Sequence, residues 1–185
     1  MNPIVKEEET KEFLEQLKTS LGTSPRAELL AARIEEGAAG LAAFADKLSA
    51  AEWNTQVVEG GKPGRTVGVI VHHVANMYPV EIEVARAVAG GKAITDVTWD
   101  VVAELNAKHA AEQAGVGKEA TLELLRRNSS EAAAAVRTFT DEELDQAAPF
   151  SLAFGAPVTA QFVIEDHALR HSWHHLARIR KTLGR

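Results

Sequence analysis

One stretch of this chain puts polar rings where a buried helix face needs apolar ones. Ile164, Ala168, His171, His175 and Ile179 recur every three or four residues, the spacing of an inward helical stripe. His171 and His175 therefore lie one turn apart on one face. Their four ring nitrogens enter the interior, where an unpartnered polar group is costly. Any fold of this chain must bring a metal, a carboxylate, a carbonyl or water to that face. Two imidazoles one turn apart can share a metal ion, and a third ligand must then come from another element.

The remaining sequence reads as helical, rich in Ala, Leu, Glu and Arg and nearly free of strand-like alternation. Residues 6–20 form a short amphipathic segment. Ser24-Pro25 reads as an N-cap followed by proline at the first helical position. It opens a helix to about Leu48 with Leu29, Leu30, Ile34, Leu41 and Phe44 inward. Trp53 and the cluster Gly60-Gly61-Lys62-Pro63-Gly64 mark a loop. Thr66 caps a helix over 66–89 that carries His72 and His73 and should kink at Pro79. A helical excursion at 98–113 holds Trp99, Leu105 and His109. A long helix follows from Lys118 to Thr138, with Leu122, Leu125, Ala132, Val136 and Phe139 inward. Thr140-Asp141-Glu142-Glu143 is a capping box, 149–157 is a loop, and the last helix spans Thr159 to Leu183. The expectation is an all-α, antiparallel four-helix bundle with extra short helices. It forms one domain over 1–185, with 1–22 an N-terminal extension or helix.

A net charge of −6 argues against sequence-independent binding to nucleic acid, which needs a basic surface, and gives no support to an anionic membrane partner. The absence of cysteine excludes disulfides, thiolate-bound zinc and a cysteine nucleophile. The acidic start, Met1 to Thr10, has no apolar core and is not a signal peptide. The longest apolar run, near Val67 to Val74, is too short to span a bilayer.

Periodicity ranks the other histidines. His73 shares a face with Val69, Met77 and Val80 and is the better inward candidate, although one residue of phase error exchanges it with His72. His167 also stands four residues before His171, so a rival pairing stays open. His174 reads as surface or interface, and His109 as a solvated helix histidine. Glu81, Glu165 and Asp166 could orient an imidazole by accepting its second N–H, but the expectation is ordinary solvated carboxylates, with Asp166 paired to Arg170.

Two motifs resemble the DinB-like superfamily of bacterial four-helix-bundle metalloproteins. Gly64-Arg-Thr-Val-Gly-Val-Ile-Val-His-His-Val-Ala75 is similar to the family's second-helix signature, with His73 at the ligand position. His171-Ser-Trp-His-His175-Leu-Ala-Arg-Ile-Arg180 is similar to its terminal H-x-x-x-H run, with Arg178 where glutamine is common. Trp53 and Asn106-Ala107 are also family-like. The resemblance implies a divalent metal, zinc or nickel, on His73, His171 and His175, in a cytoplasmic protein that is often a dimer. Relatives include thiol-dependent transferases and isomerases, and proteins described as metal-dependent hydrolases.

Two functional readings follow. In the first, the chain is a metal-dependent enzyme of thiol-transferase or hydrolase type. Its partner is a small-molecule substrate, with a low-molecular-weight thiol or water as nucleophile. In the second, it is a non-catalytic, stress-associated bundle or dimerisation module with structural histidines. No general base, nucleophile or substrate-recognition residue is named by the sequence, and histidine suits several metals.

Overall fold

Ser24 starts the fold as its spacing predicts: its hydroxyl accepts from the backbone N–H groups of Arg26 and Ala27, both at 3.1 Å. The computed structural model describes residues 24–59 and 62–185; the segment 6–20 and the extension 1–22 lie outside them. Helix α1 (Pro25–Asp46) is followed by the short α2 (Ala50–Trp53), opened by a capping box between Ser49 and Glu52. The long α3 (Val67–Ala89), capped by Thr66, runs through Pro79 as one element. Next come α4 (Trp99–Glu112), α5 (Lys118–Val136) and the short α6 (Asp141–Asp145). The last helix is composite: α7 (Ala160–Val163), a π-helical stretch (Ile164–Leu169) and α8 (Arg170–Thr182). The wider π turn ends two residues before His171.

These helices form the expected four-helix bundle from α1, α3, α5 and the last helix. Each has one antiparallel and one parallel neighbour. Arg137 at the end of α5 bonds Glu28 and Glu35 near the start of α1, while Lys118 Nζ reaches the carbonyls of Asp46 and Leu48 at its end; that pair is antiparallel. Asn128 donates to the Ala75 carbonyl at 2.9 Å and Arg86 to Thr138, so α3 and α5 run parallel. Gly37 meets Trp173 and the Arg180 guanidinium covers the Phe44 ring, so α1 and α8 are parallel too. Consecutive helices that run parallel need a return path along the bundle. The segment 90–117 provides it, with α4 as its helical part, about 21 Å long at 1.5 Å per residue.

The core follows the predicted stripes with one exception on α1. Leu30, Ile34 and Leu41 are buried and Phe44 is half-buried, but Leu29 is 68% exposed. Its position is one residue, about 100°, off the stripe that Leu30 occupies. Two segments expected as loops contain short antiparallel strand pairs: β1 (Gln56–Glu59) with β2 (Lys62–Thr66), and β3 (Ala147–Pro149) with β4 (Pro157–Thr159). Strands this short carry too few residues for alternation to register. Val57 anchors the first pair in the core. No helix among the described residues is long and apolar enough to cross a membrane.

Trp53 fixes the end of the bundle from which α3 starts. Its indole N–H donates to the Val116 carbonyl at 3.0 Å, and the ring lies flush on Gly68, where an added Cβ would come within 2.4 Å of Nε1. Ala normally favours a helix over Gly by about 1 kcal/mol. Here the clash with a buried, hydrogen-bonded ring reverses that sign. Gly68→Ala is expected to destabilise the protein by about 1–3 kcal/mol, the usual cost of overpacking, as read by chemical denaturation; a stabilised variant would refute this packing.

Candidate metal centre

α3 and the last helix are antiparallel neighbours, and their facing stripes bring the site together. On α3, Val67, Val71, Val74, Tyr78, Ala85 and Val88 are fully buried at heptad spacing, and Glu81 occupies one place in the same stripe at 6% exposure. His73 lies beside it and is 7% exposed. From the opposite helix come His175, 5% exposed, and the partly exposed His171. Tyr78 Oη and Ser172 Oγ, both fully buried, share a hydrogen bond of 2.7 Å that pins the two helices between these groups.

The imidazoles of His73, His171 and His175 converge: each offers a ligand nitrogen, and the three atoms lie within 4.8 Å of one another. His171 Nδ1 stands 2.6 Å from Glu81 Oε1. Donation of Nδ1–H to that carboxylate leaves a lone pair on Nε2, which faces His73 Nε2 at 3.2 Å. Metal–nitrogen bonds of about 2.0–2.1 Å in tetrahedral geometry separate two ligand nitrogens by about 3.3 Å. His175 Nδ1 is buried with no hydrogen-bond partner among the described residues. A convergent set of three imidazoles with an unsatisfied nitrogen among them fits a divalent cation. Burial pushes His73 down to about 2 and His175 lower still, with the His171 and Arg65 charges acting in the same direction. Both rings are thus neutral at pH 7 and need lose no proton to act as ligands.

The rival registers resolve. His72 points away from the three, and its Nδ1 meets Nε2 of His109 at 2.9 Å. His167 packs edge-on against Phe150, its ring centroid 5.8 Å away. His174 is exposed. Val80, expected inward with His73, is 47% exposed, because the stripe of α3 follows Tyr78 and Glu81 instead.

Two expectations need correction. His109 is not a solvated helix histidine: α4 lays it half-buried against His72, with its centroid 5.6 Å from that of His73. Nothing in the local sequence of α4 signals this, since it follows from the return path. Glu81 is not an ordinary solvated carboxylate but the buried acceptor for His171. Its signal was present, an ionisable residue in an apolar heptad stripe, the same logic that singles out His171 and His175. Glu165 bonds Gln161, and Asp166 pairs with Arg170 at 3.2 Å, as solvated acids do.

The DinB superfamily model matches residues 33–179. The chain belongs to the DinB superfamily. Among solved structures it is similar to YfiT from Bacillus subtilis, with 20% identity, a TM-score of 0.67, and 84% of this chain and 85% of that chain covered. That protein is described as a probable metal-dependent hydrolase with an unusual four-helix bundle topology; at this identity the likeness carries the fold alone. No curated protein matches the chain.

The buried neutral rings set a pH dependence. Their folded pKa values lie below the ordinary 6.5, so below pH 6.5 the unfolded chain binds protons that the folded one does not, and stability falls with pH. Roughly 1.4 kcal/mol per pH unit is expected for each of His73 and His175. Metal-free protein should melt at a clearly lower temperature at pH 5.5 than at pH 7.5; equal melting temperatures would contradict neutral burial.

Proposed function

We propose that this DinB protein is a divalent-metal enzyme acting on small molecules, with His73, His171 and His175 as its ligands. The observation that supports this reading is the convergence of three imidazoles, one of them braced by a buried carboxylate. Three protein ligands leave a coordination position for a reacting group, which separates catalytic from structural sites. Zinc and nickel both suit imidazole.

A divalent ion held there supplies Lewis acidity, lowering the pKa of a coordinated water or thiol and polarising a substrate carbonyl. The chain's own residues do the rest. Glu81 fixes the tautomer and tilt of His171. Tyr78 and Ser172 hold α3 and α8 in register. His109 and His72 cover His73 from the α4 side and limit water at that edge. The reaction is of thiol-transferase or hydrolase type on a small organic electrophile, in the cytoplasm, in a chain that forms homodimers and takes no nucleic-acid partner. One observation favours the non-catalytic reading instead: none of the three histidines is among the residues that line the open cleft between α4 and the start of α3.

Elemental analysis of the purified protein decides first. About one zinc or nickel per chain is expected, falling to below about a tenth in His171→Ala. A metal-free native protein, or metal content indifferent to His171→Ala, removes the proposal. Glu81→Gln should weaken metal affinity about tenfold and Glu81→Ala up to about a hundredfold, as loss of an outer-shell carboxylate does; competition with a chromogenic chelator reads both. Thiol-transfer and ester-hydrolysis assays on the loaded protein then separate the two chemistries, and a loaded protein inert in both supports the non-catalytic reading.

A further inference from the structure

One helix of this protein lies on the bundle without packing into it. Helices α1, α3 and α5 each bury at least eight residues, whereas α4 buries none. Its large apolar side chains stay in water, with Trp99 56% and Leu105 59% exposed. An open cleft of about 580 Å³ separates it from the start of α3, with Ala103, Ala107 and Ala110 on one wall and Arg65 and Val69 on the other. A segment with so few buried apolar contacts opens locally, well below the free energy of global unfolding.

The chain on either side of α4 is fastened. Before it, Ile94 packs on the core and donates its N–H to the Pro149 carbonyl, and the Val97 carbonyl accepts from Ser151 Oγ. After it, Val116 packs on the core, and its carbonyl accepts from the Trp53 indole at 3.0 Å. Between those points His109 ties α4 down. It shares a hydrogen bond of 2.9 Å with His72, and its ring stands edge-on to His73 with centroids 5.6 Å apart. The ring that covers His73 is therefore carried by a helix with no buried residue, and the bond to His72 holds it there.

We propose that α4 is a strap, fastened near Val97 and Val116, that lifts off the imidazole cluster, that the His72–His109 hydrogen bond is its latch, and that small ligands reach His73 by this route. His73 and His175 are too deeply buried to meet a ligand while the strap is down. His171 shows one edge to solvent, but its Nε2 is turned inward onto His73 Nε2 at 3.2 Å. Lifting α4 exposes no fully buried side chain of its own, so the latch carries the main part of the cost of opening. Only the nature of what passes the strap rests on the metal-enzyme reading; the motion itself does not.

The chain has no cysteine, so a thiol introduced by His73→Cys is a unique probe of access. Its reaction with a small aromatic disulfide, in the presence of a chelator, follows the open population when reclosing is fast. His72→Leu keeps the bulk beside His109 and removes the latch. It should speed that reaction about fivefold, the worth of one neutral hydrogen bond. A thiol introduced by Ala133→Cys, fully buried in α5, should stay as slow as before. His109→Leu breaks the same bond from α4 and replaces His72→Leu if that variant folds poorly. A His73→Cys thiol that reacts equally fast with and without the latch overturns the proposal, and so does a latch loss that speeds both thiols alike. Amide hydrogen exchange of the His72→Leu protein reads the motion without a thiol: exchange in α4 should rise while that in α5 does not, and unchanged α4 amides count against the strap. With zinc, the same substitution should speed uptake and release by one common factor and leave affinity unaltered; a change in affinity with unchanged uptake would make His72 a brace of the ligands and not a latch. Latch-dependent access in a protein that takes up no zinc removes the metal reading and leaves the strap standing.

Discussion

The hydrogen bond between His171 Nδ1 and Glu81 Oε1, 2.6 Å long, is the contact on which the site is built. It joins the two helices that carry all three converging imidazoles, and it settles which nitrogen of His171 faces the others. A buried carboxylate is expensive unless strongly bonded; a buried imidazole is expensive unless both nitrogens are used. Each group offsets part of the other's cost. Remove the carboxylate and the imidazole has no reason to hold one tautomer. Remove the imidazole and a buried carboxyl group loses its partner between α3 and α8. The neighbouring bond between Tyr78 and Ser172 resists the small slide of one helix that would uncouple the pair.

Chain direction then determines what surrounds the cluster. Because α3 and α5 run parallel, the chain must travel back along the bundle between them, and α4 is laid over the end of α3 that bears His72 and His73. Its cost is visible: α4 buries no residue fully, so it contributes little to the core. What it does contribute is His109 against His72 and an alanine face opposite Arg65. In an up-down bundle with short loops that end of α3 would face solvent or another core helix, and no cleft would stand next to the histidines.

The bundle and its ligand candidates were legible because they rest on periodicity. Stripes such as Leu122, Leu125, Ala132 and Val136 are properties of one helix at a time, and each is buried as its spacing predicts. Ile164, Ala168, His175 and Ile179 are likewise buried, and the π stretch does not move them off the inner face. The strands escaped because three to five residues give period two no room to show. His109 escaped for a different reason: its partner, His72, is 37 residues away across a return path, and no local pattern encodes that meeting. Leu29 and Val80 show the limit of periodicity itself, since a one-residue phase choice turns a core side chain outward.

The cluster also argues about why such a site is kept. His175 Nδ1, Glu81 Oε2 and His109 Nδ1 are buried with no hydrogen-bond partner among the described residues. Each unsatisfied polar atom costs about 1–3 kcal/mol, against a net stability for a domain of only about 5–15 kcal/mol. Apolar side chains of similar volume at His73, His171, His175 and Glu81 would complete the stripes around them and remove that cost. The four positions therefore carry groups that packing alone disfavours. A ligand that uses the imidazole lone pairs repays the folded state alone, because the unfolded chain does not hold His73 next to His171 and His175. The chain's stability and its occupancy are thus one coupled equilibrium, and the polar residues that weaken the empty bundle are those through which binding strengthens the filled one.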